Sequence, residues 1–594
     1  WAQGAFTAGS LLANVIEDTT PQLGGNLDLN SRNITGTGAI DITGTVSAGA
    51  VTYTATDGTT GQFLKTDGSG NTSFATLTAP NDATITLTAG TAISGGGDFT
   101  TNQSGNETLT FNFSGGINDL SNGYYSLNNS LGLGHQALEN DNDSSNQFNV
   151  GIGYSAGYAT TSGAKNTFVG TRSANRNTTG SENSAFGLLA NSNNVTGTQN
   201  VAVGAESMYG VYGNSHSYNT AVGYKAGFDI TTGTYNTFIG HSAGYNIENG
   251  TSNFAGGYDA LFSNRSGGYN VAVGSSALRS SSGASNNTGI GYQAGYTIST
   301  GASNFFGGYQ AGYSNNSGSN NFFGGYQAGY AVTTGGNLTA IGHSALKSAT
   351  TISTAVAIGQ GAGQNTTTGS QNVFVGNQPS YSNTTGSSNT SIGFIAMYNN
   401  QTGGSNVAVG TSALQGASGQ SHSFNTAIGY QAGYGITTGT YNFFGGYQAG
   451  YSNTYGADNT FVGANSGRLN TTGVTNSFAG LYAGYSNTTG ASNVALGHES
   501  IYRNQTGNAS GQSHSSNTAI GNEAGRGITT GGSNFFGGYQ AGYSNTTGGY
   551  NFFGGQQSGY SNTTGASNFF GGIQAGYFNT TGGSNTFAGA HAGM

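Results

Sequence analysis

"SNFFGGYQAGYSNTTGGYNFFGGQQSGYSNTTGASNFFGGIQAGYFNTTGGSNTFAGAHAG" occupies residues 533–593 and states one phrase four times. Phe536, Phe553, Phe570 and Phe587 recur in it at an interval of 17 residues. Periodic glycine with periodic aromatic residues is typical of repeat proteins, in which each unit completes its neighbour. The stretch therefore predicts an all-β parallel β-solenoid with about 17 residues in each coil.

The repeat can be followed back along most of the chain when each copy is aligned on its leading asparagine, which we number position 1. Typical units are NTFVGTRSANRNTTGSE from Asn166 and NSFAGLYAGYSNTTGAS from Asn476. Position 5 is glycine in every unit, and position 8 is alanine in most of them. The leading asparagine is replaced at Leu338 and Ala355, and a degenerate first unit begins near Ser130.

Three units are longer than the others, and their added residues all fall in the back half of the unit. These units start at Asn200, Asn406 and Asn493, and each ends in Ser-His-Ser. Insertions are tolerated in surface loops and rarely elsewhere. The back half is therefore predicted to be a surface loop.

The front half of each unit is predicted to be a short strand with apolar or small residues on both faces. Positions 2 and 4 point to one side and position 3 to the other. A strand that is apolar on both sides is typically covered on both sides. One face is expected to lie inside the coil and the other against sister chains, and a rotationally symmetric trimer satisfies both.

Two positions of the unit carry more specific expectations. The fixed glycine at position 5 is predicted to bend the chain, with a positive φ that side chains disfavour. Gly435, at a position that Ser, Asp, Ala or Thr holds elsewhere, is predicted to accept serine. Two interpretations of the leading asparagine stay open, because it can stack as a side-chain ladder or begin a turn.

The composition argues against several classes of protein. Only 6% of the 594 residues are charged and 109 are glycine, but 11% are aromatic, which is atypical of a disordered chain. The net charge of −9 argues against nucleic-acid binding, which needs basic patches. Cysteine is absent, and no apolar run is long enough for membrane insertion.

No catalytic constellation stands out in the sequence. A glycan-cleaving enzyme needs two carboxylates held together, and Asp458, Glu499 and Glu523 are isolated along the chain. The sequence therefore predicts a binding and structural protein, with no enzymatic activity and no cofactor.

Three histidines are weak candidates for a metal site. His216, His422 and His514 each lie in Ser-His-Ser at the end of a lengthened loop. In a trimer, three copies of one histidine would meet on the axis, and imidazole is a good ligand for transition metals. The alternative is an exposed loop histidine without a ligand.

Tyrosine recurs at positions 6 and 10 of the unit. Rows of tyrosine can stack on the sugar rings of a surface polysaccharide, and they can equally cover a thin core and stack on one another. Residues that recur in every coil usually serve the coil, which favours the structural alternative. The candidate glycan-stacking residues are Tyr309, Tyr313, Tyr447, Tyr451, Tyr539 and Tyr543.

The repeat resembles the head domain of YadA-type trimeric autotransporter adhesins. The phrases "NVAVGAES" from Asn200 and "NVALGHES" from Asn493 are similar to the unit of that family. The resemblance implies a left-handed parallel β-roll that forms trimers around a central axis. The unit here is longer than the family's, so its loop is larger.

The N-terminal part resembles the front of tail-fibre proteins of tailed bacteriophages. The phrases begin at Val15, Asp57 and Thr84, and they include "VIEDTTPQLGGNLDLN" and "DGTTGQFLKTDGSGNTSFA". The resemblance implies an extracellular homotrimer on the virion. Its N-terminus would bind other tail or baseplate proteins, and its distal part a bacterial surface polysaccharide or protein receptor.

The sequence thus predicts an N-terminal attachment segment over 1–50, small β-rich fibre segments over 51–118 and the solenoid over 119–594. Two alternatives to a tail fibre stay open. A cell-surface trimeric adhesin would need a secretion signal and a membrane anchor, and neither is visible in the sequence. A self-assembling extracellular filament is compatible with solenoid ends that stack.

Overall fold

A computed structural model describes residues 46–48, 51–53, 62–69, 71–76, 84–86, 98–100, 123–125, 129–141, 146–503 and 514–594. The chain divides into two compact units, Trp1–Ser114 and Gly115–Met594. Most of the N-terminal phrases that resemble tail fibres, including nearly all of 15–49, lie outside the described residues.

The described part of the first unit consists of three antiparallel strand pairs. They are β1 (Val46–Ala48) with β2 (Val51–Tyr53), β3 (Gln62–Thr66) with β4 (Thr72–Thr76), and β5 (Thr84–Thr86) with β6 (Asp98–Thr100). The turn between β3 and β4 is built on Asp67. Its carboxylate accepts the backbone N–H groups of Ser69, at 2.8 Å, and Asn71, at 3.2 Å.

The described part of the second unit contains strands and turns but no helix. Most of its strands have only three residues, which is short even for a solenoid coil. They are β7 (Gly123–Tyr125), β8 (Leu131–Leu133), β9 (Val150–Ile152), β10 (Thr167–Val169), β11 (Ser184–Phe186), β12 (Val201–Val203), β13 (Thr220–Val222), β14 (Thr237–Ile239), β15 (Phe254–Gly256), β16 (Val271–Val273), β17 (Thr288–Ile290), β18 (Phe305–Gly307), β19 (Phe322–Gly324), β20 (Leu338–Ile341), β21 (Ala355–Ile358), β22 (Val373–Val375), β23 (Thr390–Ile392), β24 (Val407–Val409), β25 (Thr426–Ile428), β26 (Phe443–Gly445), β27 (Thr460–Val462), β28 (Ser477–Ala479), β29 (Val494–Leu496), β30 (Thr518–Ile520), β31 (Phe535–Gly537), β32 (Phe552–Gly554), β33 (Phe569–Gly571) and β34 (Thr586–Ala588).

From β8 to β34 each strand pairs in parallel with the strand of the next unit, in the register that the sequence alignment predicts. Phe536 is paired with Phe553, and Phe553 with Phe570. β7 instead lies antiparallel to β8 at the start of the ladder. The predicted parallel β-solenoid is confirmed, with about 26 turns of about 17 residues.

The asparagines at position 1 form a ladder inside the solenoid, interrupted only at Leu338 and Ala355 among the described coils. The Asn219 side-chain oxygen accepts the backbone N–H of Asn236 at 2.9 Å and its amide nitrogen at 3.0 Å. The same Asn236 amide donates to the Gly250 carbonyl of its own coil at 2.9 Å. The ladder interpretation is thus confirmed, and each asparagine joins two coils while closing its own turn.

In the core of the solenoid, the size of the residue at position 3 compensates for the size of the residue at position 9. Phe306 at position 3 is fully buried, and Gly312 at position 9 leaves room for its ring. Leu278 at position 9 is buried in a coil whose position 3 is Ala272. No unit combines phenylalanine at position 3 with Leu, Met or Ile at position 9. Dense packing forbids both in one coil, because an overfilled core is strained.

Left-handed backbone recurs at four positions of each coil. The glycines at position 5 have φ between +119° and +146°, which confirms the predicted bend. Positions 7, 9 and 17 also have positive φ and often carry side chains, as at Gln310 (+53°), Leu278 (+48°) and Tyr235 (+57°). The coil therefore reverses direction through repeated left-handed residues, and the sequence indicated only the first of them.

The loop half of the coil is expected to tolerate insertions that the strand half does not. Thr547, at position 14, is exposed in the turn, whereas Phe553 is a fully buried strand residue. A short insertion after Thr547 should leave the melting temperature nearly unchanged. The same insertion after Phe553 should shift the strand faces and disrupt the array. Circular dichroism melts of the two variants check this, and equal damage at both sites would contradict it.

Candidate interaction surfaces

The outer side of the strand ladder is an apolar surface, which we call the outer sheet face and define as the side chains at positions 2 and 4 of β8 to β34. None of these positions holds a charged residue. Many of their large side chains are exposed, as at Ile239 (46%) and Ile428 (46%). Contiguous exposed apolar surface of this extent marks an interaction site in soluble proteins.

The outer sheet face is level, because residue sizes at positions 2 and 4 compensate for each other. Wherever position 2 is phenylalanine, position 4 is glycine, and the ring lies across it: a Cβ added at Gly307 would lie 2.7 Å from the ring of Phe305. Elsewhere a smaller residue at position 2 usually accompanies Val, Ile or Leu at position 4. The seven pairs are Phe254–Gly256, Phe305–Gly307, Phe322–Gly324, Phe443–Gly445, Phe535–Gly537, Phe552–Gly554 and Phe569–Gly571.

Two further rows of side chains form aromatic ladders at positions 6 and 10. At position 6, Tyr309 stacks on Tyr292 at 5.2 Å and on Tyr326 at 5.1 Å between ring centroids. At position 10, Tyr313 stacks in the same way on Tyr296 and Tyr330. A ring with a neighbour on both sides has no free face for a sugar. For Tyr309 and Tyr313 the geometry therefore favours the structural alternative.

The other four candidate tyrosines have different neighbours. Tyr451 and Tyr543 each stack on one ring, and an arginine lies over the opposite face. Tyr447 stacks on Tyr430 and is followed at position 6 by an alanine. Tyr539 has no ring stacked on it. Among the six candidate tyrosines, a face without a neighbouring ring or arginine therefore occurs at Tyr447 and Tyr539, where the position 6 ladder is interrupted.

Arginine replaces a ring at three places in the position 10 ladder. Arg468 lies 5.1 Å from the ring of Tyr451 and 5.8 Å from that of Tyr485. Arg526 likewise lies between two tyrosines, and its Nε is 2.6 Å from the carboxylate of Glu499 and 3.6 Å from that of Glu523. The structure thus brings these two carboxylates, separated in sequence, to one guanidinium. The guanidinium offsets part of the negative charge of the two carboxylates.

The three histidines are buried inside the coil, so the expectation of exposed loop residues was wrong. His216, His422 and His514 are 1%, 1% and 2% exposed. Each histidine takes the structural place of the glycine that other coils usually have at position 15. The Asn200 amide donates to the His216 carbonyl at 2.8 Å, and the position 1 asparagines of other coils donate to the position 15 glycine in the same way. The His422 Nε2 lies 3.2 Å from the Leu414 carbonyl oxygen. Each ring is enclosed by residues of its own chain.

Burial lowers the pKa of His216 to about 3 and those of His422 and His514 to about 4, because the charged ring would lose its hydration. Among the described residues no group of three or more His, Asp or Glu side chains is placed to hold a metal ion. Each lengthened loop is therefore anchored in the core by a neutral imidazole ring. The repeated Ser-His-Ser sequence alone did not indicate this.

Mild acid is expected to loosen the three lengthened coils first. An unfolded histidine binds a proton below about pH 6.5, whereas the folded rings stay neutral down to about pH 4, so stability falls between these values. The slope is about 1.4 kcal/mol per pH unit for each ring. Hydrogen exchange at pH 7 and pH 5 should show protection falling around His422 and not in coils without histidine. His422→Leu should remove the local effect, and an unchanged pH response would contradict it.

No protein-family model, no curated protein and no solved structure matches the chain. In the part of the chain that the structure describes, no helix has the length and hydropathy needed to cross a bilayer.

Proposed function

We propose that the chain is a trimeric tail fibre of a bacteriophage, which projects from the virion and attaches to the bacterial surface. The observation that carries the proposal is the level, uncharged outer sheet face along the solenoid. A structural role fits the residues that recur in every coil, because asparagine ladders, stacked rings and core side chains all join neighbouring coils.

The outer sheet face is the surface through which the copies would associate. Side chains such as Ile428 gain by leaving water, and the absence of charge avoids a desolvation cost. Parallel copies in register would bring identical coils together at the same height, as rotational symmetry requires. The number of three copies, and the left-handed winding, come from the resemblance to YadA-type heads.

Attachment by the N-terminal region and contact with the host through the solenoid complete the proposal, and both follow from the resemblance to tail fibres. Several weak sites on each of three chains would raise avidity without a strong single site. Immunogold electron microscopy with an antibody against the solenoid tests the proposal. We expect label on fibres of virions, whereas label on rods at a cell surface or on free filaments would overturn it.

Trimerisation predicts a mass of three chains by multi-angle light scattering. Lysine at four exposed isoleucines of the outer sheet face should give monomers, because the buried charges would be unpaired. Lysine at position 14 of the same four coils, on the loop side, should leave the trimer intact. A stable wild-type monomer or dimer would contradict the prediction. The isoleucines are Ile239, Ile290, Ile428 and Ile520, and the control positions are Asn249, Thr300, Thr438 and Thr530.

A further inference from the structure

The position 6 ladder is interrupted at two places by a single coil without a ring that lies between two phenylalanine or tyrosine rings. Ser275 lies between Tyr258 and Tyr292 in the first, and Thr411 lies between Phe394 and Tyr430 in the second. We call these two places the one-coil gaps. Both hold a short hydroxyl side chain where neighbouring coils carry Tyr, His or Phe.

The aromatic ring that precedes each gap has a larger exposed fraction than a ring inside the ladder. Tyr258 is 55% exposed and Phe394 is 52% exposed, compared with 43% for Tyr309, which has a ring on both faces. Tyr258 stacks on His241 at 5.1 Å, and no aromatic ring stacks on its other face, on the side of Ser275. A free aromatic face is thus directed along the solenoid at each gap.

The gaps have the width of one six-membered ring. Adjacent rungs of this ladder are 4.8 to 5.5 Å apart between ring centroids. Two rungs that flank an empty one are therefore separated by about 10 Å, twice the strand spacing. A ring placed midway would meet an aromatic face on either side at the distance that the ladder itself uses.

The surroundings of the gaps are polar at the base. The hydroxyls of Ser275 and Thr411 lie in the coil between the two rings. Beside the first gap, the Arg279 Nε lies 3.4 Å from the carboxylate of Asp259, in the coils of Ser275 and Tyr258. Aromatic walls with hydroxyl and charged groups at the edge suit a ring that is apolar on its faces and polar around its rim.

We propose that the one-coil gaps at Ser275 and Thr411 each bind a pyranose ring of a surface polysaccharide, sandwiched between the flanking aromatic side chains. A pyranose has C–H groups on its faces, which suit the aromatic walls of the gap, and hydroxyls around its rim, which suit the polar base. The inference rests on the proposed function and names the ligand class for it. It also limits sugar stacking to the interruptions, since rings within the ladder are covered on both faces.

Saturation-transfer NMR on the full chain tests the proposal with methyl pyranosides of glucose, galactose, mannose and N-acetylglucosamine. At least one of them should receive saturation at its ring protons. The double variant Ser275→Tyr and Thr411→Tyr completes the ladder and should weaken binding about tenfold or more. Gln360→Tyr adds a ring to a coil that is not flanked by two aromatic residues, and should leave binding unchanged.

A second pair of variants covers the case in which the added rings disturb folding. Tyr258→Ala with Phe394→Ala removes one wall of each gap and should abolish the signal, whereas Tyr309→Phe within the ladder should retain it. Absence of transfer to all four pyranosides, or transfer that survives both double variants, would overturn the proposal. Immunogold label on virion fibres together with either result would leave the tail-fibre proposal standing, so the two failures are distinguishable.

Discussion

Gly446→Val is expected to open the solenoid around its own coil while leaving distant coils folded. Gly446 is the position 5 glycine of its unit, and its φ is +139°. An added Cβ would lie 2.6 Å from the carbonyl oxygen of Gly463 and 2.7 Å from its carbonyl carbon. Both contacts are with the backbone of the next coil, which cannot move without breaking its own ladder. Strain and clash therefore act together at one residue.

The combined cost should be about 2–6 kcal/mol, since backbone strain and overpacking each contribute about 1–3. Hydrogen exchange shows which coils are destabilised by the substitution. Protection should fall over residues 425–475 and remain at wild-type levels several coils away, because a solenoid is held by nearest-neighbour contacts. Unchanged protection, or a uniform loss along the array, would contradict the nearest-neighbour account.

The control for this variant has to be a glycine with ordinary φ and open space. Gly435 does not qualify, although the sequence predicted that it would accept serine, because an added Cβ would lie 2.9 Å from the Tyr451 carbonyl oxygen. Gly283 has its nearest contact at 3.6 Å, with the Ser266 hydroxyl. Gly283→Ser should therefore leave exchange and melting nearly unchanged.

The period of the sequence predicted the architecture because each coil copies the register of the last. The parallel pairing, the asparagine ladder and the bend at position 5 all follow from one repeated residue type at one repeated position. The left-handed residues at positions 7 and 17 do not, since residues as different as Gln310, Glu523 and Tyr235 adopt the same φ there. Their conformation is imposed by the neighbouring coils, so residue type carries little signal.

The candidate surfaces were only partly predictable for a related reason. Apolar residues on both strand faces indicated an outer surface, but its level shape appears only when the ring of Phe305 is seen across Gly307. The recurrence of tyrosine at positions 6 and 10 indicated aromatic ladders, but it did not indicate which ring faces have no neighbouring ring. The sequence placed the histidines on an exposed loop because Ser-His-Ser is typical of a polar loop. In the folded coil the His422 side chain turns inward, where shorter coils have glycine at position 15.

Replacement of an asparagine of the ladder is expected to destabilise the coils that it joins. The Asn442 amide donates to the Asn425 oxygen at 3.0 Å and to the Gly456 carbonyl at 2.8 Å. Its own oxygen accepts the backbone N–H and the amide of Asn459, both at 3.1 Å. Asn442→Leu would leave the Asn459 N–H buried without an acceptor, whereas the Gly456 carbonyl would keep the Asn453 amide as a donor at 2.9 Å.

The chain contains one natural break, and its surroundings show what such a break requires. Leu338 replaces asparagine and Ala355 replaces the next one, so the two non-polar residues are adjacent in the ladder. Ala349 and Ile352 are buried in the same coil, where other coils often have asparagine and glycine. An apolar group of four residues thus takes the place of the polar ladder. Asn442 has no such neighbours.

Asn442→Leu should therefore lower the free energy of unfolding by about 1–3 kcal/mol, the cost of one orphaned buried polar group. Hydrogen exchange should show the Asn459 N–H losing protection first, because its acceptor is removed. Asn249→Leu, at an exposed position 14, is the matched control and should cost less than about 0.5 kcal/mol. If Asn442→Leu cost no more than this control, the ladder would contribute nothing beyond its volume, and the backbone pairing alone would hold the coils together.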